Sequence, residues 1–89
     1  MNSRKDFLEE PDHFHERIGR NVRELRLSLK LTQKEVCCRA QLLGFDYTDS
    51  TLSRIETGAK RTSTFDLIAL AQIFGVTVER ILMGGEEEK

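Results

Sequence analysis

Between Thr48 and Gly58 the chain carries a dense run of short polar side chains and one guanidinium: Asp49, Ser50, Thr51, Ser53 and Arg54. Leu52 and Ile55, three apart, give the stretch a single apolar side, so a helix formed there turns its polar residues outward. Placed in the major groove of a duplex, such a helix brings its first turn and outward face to base edges and its flanks to phosphates. Arg54 has the most specific chemistry of the group, because a guanidinium donates twice to O6 and N7 of guanine; its bland alternative is a solvated surface charge. The Asp49 carboxylate can accept from a cytosine amino group but repels phosphate. Thr51 fits either a contact of this kind or the completion of its own helix cap.

Other chemistries are poorly served. No nucleophile, phosphate-cradling loop or carboxylate dyad stands in a recognisable constellation, and 89 residues do not enclose a large substrate cavity, so no enzyme is expected. Cys37 and Cys38 are adjacent, which suits neither a mutual disulfide nor a four-ligand zinc site, and His13 and His15 add too little for one. They read as reduced thiols, one of them packed as a small apolar residue, and no metal or cofactor is expected. Lacking a stretch of roughly 18 apolar residues or an apolar leader, the chain is expected in the cytoplasm and not in a membrane.

The net charge of −1 is unevenly spread. Residues 1–17 hold three basic and five acidic side chains and residues 86–89 hold one and three, whereas residues 18–85 hold ten basic and seven acidic, a balance of +3. A folded body of that sign permits a polyanionic partner.

The elements that would position these residues are helical. Ile18, Val22, Leu25 and Leu29 recur at four, three and four, which predicts a first helix over about 13–29. Thr32 with Glu35 forms a capping-box pair that opens a second helix, whose inward face would use Val36, Cys37, Ala40 and Leu43 before Gly44 ends it in a left-handed cap. Thr48 is placed to cap the third helix and Gly58 lies just past its end. Ser63 with Asp66 opens a fourth helix carrying Leu67, Ile68, Leu70, Ala71 and Phe74, stopped by Gly75. Thr77 can cap a last short helix with Val78, Ile81 and Leu82. Residues 1–17 read as a tail or an extension of helix one, 18–85 as one domain, and 86–89 as an acidic tail.

This order of five helices resembles the lambda repressor/Cro-like (XRE-type) helix-turn-helix family. The resemblance rests on Ile18-Gly19, Leu25-Arg26, Leu31-Thr32-Gln33 with Glu35-Val36, Ser53-Arg54-Ile55-Glu56 with Gly58, and Leu70-Ala71 through Phe74-Gly75-Val76. It covers about residues 18 to 84 and implies a compact all-α five-helix domain. From Thr32 to Glu56 the family pattern commonly runs about five residues shorter, so the chain has an extra helical turn or a longer loop there, with Phe45 and Tyr47 expected to pack inward.

The resemblance implies a DNA-binding transcription regulator, usually a homodimer on a two-fold operator. It matches Asp49, Ser50 and Arg54 to the family's principal base-reading positions. Gln33, in the first turn of helix two, suits a phosphate, and Thr51 and Ser53 fall among the further contacts. Thr57, Lys60 and Arg61 match positions that meet the DNA backbone. Arg26 and Glu56 match a structural salt bridge between helix one and helix three. Self-association would fall to helix five and the end of helix four. The competing function is an antitoxin or anti-regulator in which residues 1–17 grip a protein partner, a reading that the net acidity and Asp49 support.

Overall fold

The computed structural model describes residues 11–85, and the described part is all-helical: α1 (Pro11–Ser28), α2 (Gln33–Leu42), α3 (Asp49–Thr57), α4 (Thr64–Phe74) and α5 (Val78–Met83). Every helix after the first begins on a side-chain oxygen. Thr32, Thr48, Ser63 and Thr77 stand in extended backbone and accept from the amides of Glu35, Thr51, Asp66 and Arg80 at 3.0–3.1 Å. Glu35 and Asp66 return the bond, accepting from the amides of Thr32 at 2.8 Å and Ser63 at 3.1 Å, so both capping boxes are complete.

Ends are as defined as starts. After α2, the Phe45 amide donates to the Ala40 carbonyl at 2.8 Å and the Gly44 amide to Gln41 at 3.0 Å, the paired closure that needs a left-handed residue between them. Gly44, at φ +91°, supplies it. The same closure ends α1, where Leu31 bonds to Arg26 at 3.1 Å and Lys30 to Leu27 at 2.9 Å, but here a lysine takes the left-handed position at φ +59°.

The core runs through all five helices: Ile18 and Val22 of α1, Val36 and Ala40 of α2, Leu52 and Ile55 of α3, Leu70 of α4 and Ile81 of α5 are essentially inaccessible. Removing one such aliphatic side chain from water contributes about 1.5–3 kcal/mol, which is what holds helices of this length together. α1 packs chiefly on α3 and also on α5 and α4. The six-residue α5 depends on it, because Asn21 of α1 donates from Nδ2 to the carbonyls of Ile81 at 2.8 Å and Leu82 at 3.4 Å, groups left open at a helix end. Among the described residues no helix is long and apolar enough to cross a membrane.

Three expected core positions are corrected. Leu29 lies beyond the last turn of α1, which starts at Pro11 and stops at Ser28, and is 43% exposed. Leu43 is the C-terminal cap of α2 and is 49% exposed. Ile68 points off the outer face of α4 at 46% exposure, while Asp66, Ala69 and Ile73 take inward places. The apolar residues of α4 cover too wide an arc for all of them to face one core. Of residues 1–17, expected as a tail or an extension of helix one, residues 11–17 form the first turns of α1, and residues 1–10, like 86–89, lie outside the described part.

Candidate nucleic-acid interface

α3 is built with two unlike faces. Leu52, Ile55 and Glu56 are buried, Asp49, Ser50, Arg54 and Thr57 are exposed, and Thr51 and Ser53 lie between. Thr51 serves its own cap, since its amide and hydroxyl both meet Thr48 Oγ1 at 3.1 Å. The Arg54 guanidinium makes no hydrogen bond or ion pair among the described residues, so its whole donor fork faces outward. Thr57 turns its hydroxyl back to the Arg54 carbonyl at 3.3 Å.

The inner face is fixed by charge. Arg26 donates from Nε to Glu56 Oε2 at 2.7 Å and from Nη2 to Oε1 at 3.0 Å, a two-pronged pair with both residues buried, and its Nη1 reaches the Leu31 carbonyl at 3.0 Å. Hydrogen bonding to Glu56 raises the Arg26 pKa above its ordinary value against the opposing effect of burial. Gln33 joins the same carboxylate, donating from Nε2 to Glu56 Oε1 at 3.1 Å. α1, the start of α2 and α3 thus meet at one buried carboxylate. Beside it the backbones come into close approach: a Cβ on Gly19 would stand 2.3 Å from the Ile55 carbonyl oxygen and 2.7 Å from that of Glu56.

Residues 43–48 join α2 to α3, against the three or four residues of the compact motif, so the connection holds two or three of the extra residues. Tyr47 secures it from inside, donating to Asp66 Oδ1 of α4 at 2.6 Å, while Phe45 sets its ring edge-on to Phe65 with centroids 5.6 Å apart. Lys60, after α3, donates from Nζ to Asp66 Oδ2 at 2.9 Å, and the Ser63 amide and hydroxyl reach the same oxygen at 3.1 Å. Burial alone would raise the Asp66 pKa; the Tyr47, Lys60 and Ser63 donors outweigh it and hold it below the ordinary carboxylate range. Burial and the Asp66 carboxylate push Tyr47 well above the usual phenol value.

The remaining site residues are placed as follows. Arg61 is exposed. The Lys60 side chain is partly exposed, and its ammonium donates to Asp66 Oδ2 and, at 3.2 Å, to the Arg61 carbonyl. Asp49 is exposed in the first turn of α3; burial, with help from its carboxylate, pushes Cys37 up to about 11, so it stays a neutral thiol. Lys34, in the first turn of α2 beside Gln33, is exposed and was not singled out from sequence. Nor was the contact that steadies the segment after α3, where the Thr62 amide donates to Nδ1 of buried His15 at 3.0 Å.

A family model of the helix-turn-helix domain matches residues 17–82. The chain belongs to this helix-turn-helix family. No curated protein and no solved structure gives a significant match. Membership of the helix-turn-helix family points to a DNA-binding regulator.

Proposed function

We propose that this helix-turn-helix protein is a sequence-specific transcription regulator of XRE type, a repressor that binds a near-palindromic operator as a homodimer. The observation that carries the reading is the contrast on α3: its inner face is locked through Arg26, Glu56 and Gly19, while Arg54 is exposed with a guanidinium unengaged among the described residues. Arg54 then reads guanine, Asp49 and Ser50 contact neighbouring bases, and Gln33, Ser53, Thr57 and Arg61 meet the sugar-phosphate backbone. Thr51 supports the cap more than the duplex. A single short helix reads few base pairs, so two half-sites about one helical turn apart supply the specificity a genome requires. Exposed Met83 of α5 and the end of α4 are the surface assigned to pairing. Sedimentation with and without operator checks it, and a one-to-one complex on a site lacking symmetry removes the dimer.

Arg54→Ala is expected to cost about 1–3 kcal/mol on the preferred duplex and to relax preference at one base position in each half-site, with little change on random DNA. Arg61→Ala is expected to weaken all sequences alike and to lower the slope of log affinity against log salt by about 0.9. Titrations of both variants over a salt series decide the matter. If neither variant departs from the parent, the groove-reading assignment fails.

A second reading, a protein-binding antitoxin or anti-regulator, draws support from the exposed apolar side chains Leu42 at 87% and Phe65 at 62%. Recovery of a stoichiometric protein partner, together with absence of a shift of random duplex at low salt, favours it over DNA recognition.

A further inference from the structure

We propose that Asp66 is a positioning residue for DNA recognition, one buried carboxylate on α4 that fastens both the segment entering α3 and the segment leaving it. Tyr47, immediately before the Thr48 cap, holds Oδ1 at 2.6 Å, and Lys60, three residues beyond the end of α3, holds Oδ2 at 2.9 Å. Asp66 is 5% exposed and Tyr47 8%, so water does not replace the bond between them and the low local dielectric strengthens it, while the partly exposed Lys60 reaches the other oxygen from the surface. Lys60 is tied again through its backbone, whose amide donates to the Arg54 carbonyl at 3.1 Å. Ser63, bonded to Oδ2 through its amide and hydroxyl, keeps the carboxylate in place at the start of α4.

The physical need follows from the long connection. A turn of three or four residues sets the angle between two motif helices by its own stereochemistry, whereas residues 43–48 are too many to do so. A rigid helix held at both ends cannot slide along its axis or tilt against α4 without breaking one of the two bonds. Arg26 and Glu56 clamp the inner side of α3, and the Asp66 bonds set its direction. Two-pronged base contacts tolerate displacements of only about 0.5 Å, so this direction decides whether Arg54 meets its base. Lys60 accordingly acts through Asp66 and not as a phosphate contact.

The proposal rests on the DNA-binding reading, and its test separates the two. Tyr47→Phe, Lys60→Met and Lys60→Arg are compared with the parent at a temperature where circular dichroism shows all four folded. The probes are a duplex selected from a random pool by the parent and a scrambled duplex of the same length. Tyr47→Phe and Lys60→Met are each expected to weaken the selected duplex about tenfold and the scrambled one less than twofold, with the salt slope unchanged and Lys60→Arg near the parent. Equal weakening of both duplexes by Lys60→Met, with the slope reduced by about 0.9, makes Lys60 a phosphate contact and overturns the proposal. Amide exchange without DNA gives an independent readout: Tyr47→Phe should speed exchange in α3 more than in α5. Uniform acceleration through all helices means that Asp66 supports only global stability, which also overturns it. A parent that selects no duplex removes the DNA reading, while the exchange pattern still decides whether Asp66 holds α3.

Discussion

Glu56→Ala is expected to destabilise the domain by about 3–5 kcal/mol, the cost of stranding one buried charge after its partner is removed. The Arg26 side chain stays ionised, buried and deprived of both short bonds, and the Gln33 amide loses its acceptor as well. Exposed ion pairs contribute at most about 1 kcal/mol, so the size of the loss distinguishes a buried two-pronged pair from a surface one. Domains of this size are stable by only about 5–15 kcal/mol, and the change therefore consumes a large part of the whole. Thermal melts of parent and variant in one buffer provide the measurement. A variant that melts within a degree of the parent would show that the pair contributes nothing to the native fold.

Gly19→Ala is expected to act against helix propensity. In an exposed helix interior the change stabilises by about 1 kcal/mol, because alanine restricts the unfolded chain and favours the helix. At position 19 the added methyl would meet the carbonyl oxygens of Ile55 and Glu56 at 2.3 and 2.7 Å. Backbone atoms do not rotate away as a flexible side chain does, so α1 and α3 must separate, disturbing the Arg26–Glu56 geometry a few residues along. Overpacking of this kind costs about 1–3 kcal/mol, at the upper end when the neighbour is rigid. Denaturant unfolding should therefore show a lower midpoint with an unchanged slope. A midpoint equal to or above the parent's would mean that the helices do not approach as described.

Much of this architecture is legible in residue order. Thr32 with Glu35 and Ser63 with Asp66 announce helix starts because a capping box is satisfied within four residues, and Gly44 marks an end because its left-handed backbone is a local matter. The three misplaced apolar residues have a shared cause. Periodicity assigns a stripe to each helix but not its width or where it stops, so Leu29, Leu43 and Ile68, at the ends or the outer edge of a stripe, face water.

For the interface, the split is between local and long-range chemistry. Sequence alone determined which residues can face a groove from α3, since the outward positions follow from the 3.6-residue period and the caps that bound the helix. The partners of Lys60 and Asp66 were decided only in three dimensions. In sequence Asp66 reads as a capping residue and Lys60 as a match to a DNA-backbone contact, and the hydroxyl that joins them comes from Tyr47, nineteen positions before Asp66. Likewise Gly19 reads as a weak point in a helix until α3 is laid against it. Caps and periods depend on neighbours in the chain, whereas a buried carboxylate takes its partners from whatever elements the core brings beside it, and no pattern of spacing records that choice.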